Sequence, residues 1–192
     1  MSLLPTDPPA MEPISLAEAK AHLRVEHADE DMQIQSFITT SRLQIEGALG
    51  LAMIEQKWSV FLDTWPRSGT VTLPLHPVQS LDAIRLHDGG GGVTDLPISA
   101  FYLDGAVGNA RISLPRRHAL PSPGRGASGI EIAITAGFGP DRDDVPNPIR
   151  HALLLLVAHW YENREPNDSN TEKTRIPQSV SDLLAPYKPV RL

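Results

Sequence analysis

Residues 149 to 166, IRHALLLLVAHWYENREP, place the strongest constraint on how this chain can fold. Asn147 is a good N-cap and Pro148 suits the first helical position, so we predict that a helix begins there. It is expected to end near Arg164, because a proline and a polar run follow. Apolar side chains cover nearly the whole circumference of this helix, which indicates that it is buried on several sides.

The apolar run in this helix is too short to cross a membrane. Only seven residues, 152 to 158, lack a polar interruption, whereas a spanning helix needs about 20. The first residues, MSLLPTDPPAMEP, have neither the basic start nor the apolar core of a signal peptide. We therefore expect a soluble protein that is neither secreted nor inserted into a membrane.

Composition narrows the class of protein further. The 192 residues are 41% apolar, which suffices for one domain, or for one domain that carries an inserted subdomain. The absence of cysteine excludes disulfides and thiolate metal sites. The net charge of -6 argues against a general DNA-coating protein.

Two helices are predicted near the start of the chain. Residues 1–13 contain four prolines and are expected to form an extended arm. Ser15 and Glu18 have the spacing of a capping box, so a short helix should start there and end near Val25. A second, longer helix should follow the acidic HADED segment and run to about Gly50, because its apolar residues fall on one helical face.

The pattern changes after Gln56, where apolar and polar residues begin to alternate as in strands with one buried face. The alternating apolar residues are Trp58, Val60 and Leu62, then Val71, Leu73 and Leu75, and later Ile130, Ile132 and Ile134. Glycine-rich and proline-rich turns separate these segments. The middle of the chain is therefore predicted to be β-rich.

These elements together predict an α+β fold with a helical bundle core. The core contains the long N-terminal helix and helix 147–164. The predicted domain boundaries are 1–13 for the arm, 14–56 and 140–165 for the helical core, 57–139 for an inserted antiparallel β-rich subdomain, and 166–192 for a polar linker, a short helix and a C-terminal tail.

The motifs that could support catalysis or cofactor binding are weak. Gly124, Gly126 and Gly129 match G-x-G-x-x-G, but they precede a strand instead of opening a helix, so a flexible loop is the better interpretation. His151 and His159 are eight residues apart, which is too far to share one metal directly. No nucleophile motif occurs. We predict no catalytic residue, no cofactor and no metal, and hence no enzyme.

One basic cluster lies in a proline- and glycine-rich loop. It contains Arg116, Arg117, His118 and Arg125. One interpretation is a solvated loop, and the other is contact with an acidic partner surface or with a nucleic acid backbone.

The order of the segments points to a family. The segments are ISLAEAKAHLRVEHADEDMQIQSFITTSRLQIE, WSVFLDTWP, LPLHPVQSLDAI, ITAGFG and VPNPIRHALLLLVAHWYENRE. In this order they resemble the head-tail connector, or adaptor, family of long-tailed bacteriophages and phage-derived gene transfer agents, over about residues 14–187. The most specific pieces are KAHLR at 20–24, TAGFG at 135–139 and AHWYENRE at 158–165.

The resemblance implies architecture and partners, with no cofactor. It implies a homo-oligomeric ring, commonly of twelve copies, that docks beneath the portal protein, with tail-side neck proteins such as a stopper or tail terminator on its other face. DNA would pass through the channel without sequence-specific binding, and the acidic first helices would repel its phosphates. The expected location is the neck of a virion or gene transfer agent particle, and the host cytoplasm during assembly.

Three groups of residues are candidates for these contacts. Because ring contacts are heterologous, a neighbouring subunit could cover part of helix 149–164; the candidate residues are Leu154, Leu155, His159, Tyr161 and Arg164. The tail is either a frayed terminus or an arm that binds the portal, through Leu183, Leu184, Tyr187, Lys188, Val190, Arg191 and Leu192. The basic loop residues Arg116, Arg117 and Arg125 could contact a partner or DNA.

Other functions remain open at this point. The runner-up is a different neck component, such as a tail-completion protein. A small cytoplasmic enzyme would need a site assembled from distant residues. A nucleic-acid-binding regulator is disfavoured by the acidic balance and by the lack of a basic recognition helix.

Overall fold

The computed structural model describes residues 1–105, 110–115, 120–163 and 176–188. The chain forms two compact units. Met1–Ala10 and Gly50–Phe138 make up the sheet unit, and Met11–Leu49 and Gly139–Leu192 make up the helical unit. The predicted mixture of helices and antiparallel sheets is confirmed. The sheet unit starts earlier than the predicted insertion 57–139 and also takes in the first ten residues.

The strands of the sheet unit form two antiparallel sheets. The larger sheet has the order β1-β2-β8-β4-β5 and the smaller has the order β3-β7-β6. The strands are β1 Ser2–Asp7, β2 Gln56–Leu62, β3 Thr70–Thr72, β4 Val78–His87, β5 Val93–Leu96, β6 Tyr102–Asp104, β7 Arg111–Ser113 and β8 Ile130–Ala136. Strand β8 is central, since it pairs with both β2 and β4.

Six of the thirteen residues of the predicted N-terminal arm, Ser2–Asp7, form a strand of the larger sheet. Strand β1 pairs with β2, with Leu3 opposite Val60 and Pro5 opposite Trp58. The prolines suggested an arm, but an edge strand tolerates proline because one of its sides makes no ladder hydrogen bonds. Residues 2–7 are therefore held by a partner strand that lies 50 to 59 residues further along the chain.

One apolar core joins the two sheets. Its buried residues include Val60, Ile84, Ile112 and the three isoleucines of β8, Ile130, Ile132 and Ile134, which are all fully buried. The predicted alternation in β8 is confirmed, since these three residues share one face. Each buried side chain of this size contributes roughly 1.5–3 kcal/mol to folding.

Strand β8 ends within the TAGFG motif, and close backbone contacts require its first glycine, Gly137. Gly137 has a φ of 138°, a backbone conformation that L side chains rarely adopt. A Cβ atom there would lie 2.6 Å from the backbone nitrogen of Glu55. The amide of Gly137 donates to the carbonyl of Pro77 at 2.9 Å, and that of Phe138 donates to Met53 at 3.0 Å. Only glycine allows this close backbone approach.

The helical unit contains α1 Leu16–Leu23, α2 Asp31–Leu49, α3 Asn147–Glu162 and α4 Gln178–Leu184. The predicted capping box of α1 is confirmed, because Glu18 donates its amide to the Ser15 hydroxyl and the Glu18 carboxylate accepts from the Ser15 amide. The N-cap predicted at Asn147 is wrong by one residue. Pro146 is the N-cap and Pro148 is the second helical residue, where its missing amide is still harmless.

Helix α3 packs against α1, α2 and α4. Its fully or almost fully buried residues are Ile149, Ala152, Leu153, Leu156 and Val157. The rings of Phe37 in α2 and Trp160 in α3 lie 6.3 Å apart. Burial on several sides is thus confirmed. None of the helices in the described residues combines the length and apolar character needed to cross a bilayer.

Substituting Gly137→Ala should destabilise the sheet unit by about 1–3 kcal/mol, because the new Cβ would strain the backbone and collide with residue 55. Urea unfolding followed by tryptophan fluorescence measures the change. Gly126→Ala is the matched control, since a Cβ at that position has open space around it. Equal losses of stability in the two variants would contradict the steric role of Gly137.

Candidate functional site

A buried arginine organises the helical unit. The Arg42 guanidinium donates to Glu12 through Nε at 2.8 Å and to Glu46 through a terminal nitrogen at 2.9 Å. Thr39 also donates to Glu12, at 2.9 Å. Burial opposes the charge of Arg42, but the hydrogen bond to Glu12 and the attraction of Glu46 outweigh it, so its pKa is raised. The chain segment before α1 is thereby attached to α2.

Further ion pairs lie within the helical unit. Arg150 of α3 binds Glu18 of α1 and Asp143, the latter at 3.0 Å. Burial alone would raise the pKa of Glu18, but hydrogen bonds from Ser15 and the charge of Arg150 bring it below its ordinary value. Lys20 forms an ion pair with Asp31 at 2.5 Å. These contacts connect α1 to both α2 and α3.

The residues predicted for the subunit interface lie along α3 and are half-buried. Leu154, Leu155, His159 and Tyr161 are each partly accessible. The Tyr161 hydroxyl donates to the Glu30 carboxylate. Arg164 lies outside the described residues. Their role in a subunit contact stays a prediction.

The residues predicted to bind the portal differ in exposure. Leu184 is buried, Leu183 and Tyr187 are half-buried, and Lys188 is exposed. Leu184 and Lys188 line a groove of about 300 Å³ together with Leu49 of α2. Val190, Arg191 and Leu192 lie outside the described residues. Leu184 therefore belongs to the packing of the helical unit, and Lys188 is the most accessible of the four members that the structure describes.

The basic cluster is described only in part, because Arg116, Arg117 and His118 lie outside the described residues. The guanidinium of Arg125 donates to the carbonyl of Ser128 at 3.0 Å and 2.5 Å. The amide of Ser128 donates to the Asp63 carboxylate at 2.7 Å. Arg125 thus helps to fix the conformation of its own loop.

The G-x-G-x-x-G segment belongs to this same loop and precedes strand β8, as expected. The amide of Gly124 donates to the carbonyl of His87 at 3.2 Å. A Cβ atom on Gly129 would lie 2.6 Å from the carbonyl oxygen of Arg125. These glycines allow close backbone contacts, and a strand follows them in place of the helix that a dinucleotide site requires.

A polar cluster around Glu131 was not identified from the sequence. Its carboxylate accepts hydrogen bonds from the Ser59 hydroxyl at 2.8 Å and from His87 Nε2 at 2.9 Å. Arg85 lies opposite Glu131 on the neighbouring strand, 3.3 Å away. The only sequence signal was a glutamate between two isoleucines. The cluster connects strands β2, β4 and β8 through their side chains.

The environment of Glu131 favours its ionised form. Burial alone would raise its pKa, but hydrogen bonds from Ser59 and His87 and the positive charge of Arg85 lower it overall. Ser59, His87 and Arg85 each form a hydrogen bond with the Glu131 carboxylate. The arrangement therefore stabilises the sheet and contains no activated nucleophile.

The histidines that the structure describes show no arrangement typical of a metal site. His22 and His151 meet edge to face with ring centroids 6.4 Å apart, and His159 is near Asn163 instead. Within the ranges that the structure describes, no group of three or more histidine or acidic side chains is placed to hold a metal ion.

Three solved structures resemble the chain over its whole length. The neck of an empty gene transfer agent particle, computed with C6 symmetry, has a chain that is 28% identical, with a TM-score of 0.84. A chain of the virion of a native gene transfer agent particle is 28% identical, with a TM-score of 0.83. A chain from the neck of a native particle, computed with C12 symmetry, is 26% identical, with a TM-score of 0.80.

Each of these matches covers 100% of this chain and 97% of the other. No protein-family model and no curated protein matches the chain. The chain therefore has the fold of a structural neck component of gene transfer agent particles. The predicted location in a particle neck is confirmed by these structures.

Replacing Arg42 by leucine should cost the helical unit about 3–5 kcal/mol, because Glu46 would remain buried beside an apolar side chain. Urea unfolding checks this value. Lys57→Leu is the control, since Lys57 pairs with Asp7 at 3.8 Å on an exposed surface and such pairs contribute at most about 1 kcal/mol. A similar loss in both variants would argue against the importance of the buried pair.

The Glu131 cluster predicts a pH dependence of stability. Because the pKa of Glu131 is lowered in the folded chain, its ionised form stabilises the fold above the ordinary glutamate pKa of about 4.3, and this contribution disappears as the pH falls through the folded-state value. Unfolding free energies of the wild type and Glu131→Gln should therefore differ most near neutral pH and converge in acid. Glu26→Gln, at an exposed position, is the control. A constant difference across the pH range would contradict this assignment.

Proposed function

We propose that this protein is the head-tail adaptor subunit of a gene transfer agent or related phage particle. In this proposal, copies of the chain form a ring beneath the portal, join the capsid to the tail and leave a channel for DNA. The observation that supports it best is the match to a neck protein over 100% of this chain at 28% identity. The role is structural and non-enzymatic.

A twelve-copy ring is consistent with the symmetries of the similar structures. One neck was computed with C12 symmetry and another with C6 symmetry. A ring of twelve identical subunits has both symmetries, because a sixfold axis is contained in a twelvefold axis. Closed rings require heterologous contacts, in which each subunit presents two different surfaces to its neighbours.

The proposed partners are the portal on one face and a stopper or tail terminator on the other. Lys188, together with Val190, Arg191 and Leu192, is the proposed portal contact, since Lys188 is accessible beside α4. The half-buried α3 residues, Leu154 and Leu155 among them, are proposed to contribute to the subunit contact. Arg116, Arg117 and Arg125 are proposed to face a partner or the DNA backbone.

The acidic character of the chain supports free passage of DNA. With a net charge of -6, copies of the chain would on average repel phosphate. Weak, sequence-independent interaction is the requirement for a channel through which DNA has to move. A filter-binding assay at low salt is therefore expected to detect little affinity for duplex DNA.

The first test of the proposal combines native mass spectrometry with negative-stain electron microscopy. The purified chain is examined alone and mixed with the portal protein of the same particle. We expect a twelve-copy ring that is free or stacked on the portal. A chain that ignores the portal but binds a tail-side protein would instead favour a tail-completion role.

Truncation after Lys188 tests the portal contact. Removing residues 189–192 should leave the unfolding midpoint unchanged and should weaken portal binding in a sedimentation or interferometry assay. Thr72→Ala, an exposed change in strand β3, serves as the control that keeps full binding. Portal affinity that is unchanged by the truncation would remove these residues from the proposed contact.

A further inference from the structure

The outward face of helix α2 carries no charge from Met32 to Ala48. After Asp31, every exposed residue of the helix is uncharged, from Met32 in the first turn to Ala48 in the last. Leu43 is 57% exposed and Met32 is 85% exposed. The other charged residues of α2, Arg42 and Glu46, are buried and paired with each other. A surface helix usually has the opposite arrangement, with its charges outward.

Two features of this face, the absence of charge and the exposed Met32, are also features of the centre of a protein interface. Interface cores are depleted of charged residues, and methionine is enriched there. The exposed positions 32, 36, 40, 43 and 47 follow each other at helical spacing, so they form one stripe along the helix. A helix of 19 residues is about 28 Å long. The stripe is therefore long enough to form the centre of a contact between proteins.

Gly47 adds an independent observation. Glycine inside a helix costs about 1 kcal/mol relative to alanine. A Cβ atom at Gly47 would have no neighbour within 4 Å, and its backbone needs no glycine conformation. Packing within the described part of the chain thus gives no reason for glycine at this position. A second protein that approaches the helix closely would give one.

We propose that the uncharged stripe of α2 is one side of the contact between neighbouring copies of this chain. This inference rests on the proposed ring and names the surface that closes it. The similar structures come from necks computed with sixfold and twelvefold symmetry, in which each chain has identical neighbours. Copies with a net charge of -6 repel each other overall, and a contact through uncharged surfaces adds no further repulsion.

The neighbour's side of this contact is a different surface, because a ring is closed by heterologous contacts. The stripe alone, about 28 Å by 10 Å, supplies roughly a third of the ~800 Å² that each partner buries in a standard interface. Other surfaces of the subunit therefore complete the contact. The half-buried residues of α3 are candidates for the opposite side.

The first test changes the charge and the shape of the stripe. Leu43→Lys should raise the protein concentration needed for half-maximal ring assembly at least about tenfold, because a charge would be buried in the contact. Ala21→Lys adds the same charge to an exposed position of α1 and should leave assembly unchanged.

Gly47→Ala should raise the unfolding midpoint of the monomer and still weaken the ring. A purely structural role of Gly47 would not produce these two effects of opposite direction.

The second test measures access to the stripe directly. The chain has no cysteine, so maleimide modification of Leu43→Cys reports on that position alone. We expect the cysteine to be labelled rapidly in the monomer and at least about ten times more slowly in the ring. Ala21→Cys should react equally in both states.

The outcomes separate this inference from the proposed function. In one outcome the wild type and Leu43→Lys form the ring equally well, and the cysteine of Leu43→Cys stays reactive in the ring. This result would overturn the α2 contact and leave the adaptor function intact. Protection that requires the portal would assign the stripe to the portal instead. A wild-type chain that stays monomeric with and without the portal would overturn both the ring and this contact.

Discussion

The guanidinium of Arg42 lies in the interior of the helical unit, where its charge has to be balanced. Glu46 of the same helix supplies one carboxylate and Glu12, from the segment before α1, supplies the other. This requirement draws the incoming chain onto α2. Arg142, which precedes α3, adds a hydrogen bond to the carbonyl of Glu12 at 2.9 Å. Glu12 thus connects the segment before α1 to Arg42 of α2 and to the segment before α3, and the outer surface of α2 from Met32 to Ala48 is left without charge.

Features that depend on neighbours in sequence were predictable. The capping box at Ser15, the long second helix and the alternation of isoleucines in β8 each follow from residues within one or two turns of one another. The TAGFG motif is one of the segments that carry the family resemblance, and the positive φ of Gly137 is the physical reason for its first glycine. The burial of α3 on several sides followed from its composition, because a helix without a polar face cannot lie on a surface.

Features that depend on distant pairing were not predictable. Strand β1 was expected to be an arm, because no local pattern shows that residues 2–7 pair with residues near 60. The cluster at Glu131 requires the register of three strands. Arg42 and Glu46 have the spacing of an ordinary surface ion pair, so the sequence does not reveal that they point inward. Because Arg42 and Glu46 point inward, the outer face of α2, which is the candidate subunit contact, is left uncharged.

The chain passes between its two units three times, after Ala10, after Leu49 and after Phe138. A protease that cut only between Leu49 and Gly50 would produce two fragments, each with an incomplete share of both units. The shorter fragment would keep α1, α2 and the edge strand β1, while the longer one would keep α3 and the rest of the sheet. The longer fragment would hold all the buried residues of the sheet core but would lack the edge strand β1, and neither fragment would hold all four helices of the helical unit. The helical unit would therefore be complete only when both fragments are present, so reconstitution from the two separately produced fragments would depend on the packing of α1 and α2 against α3.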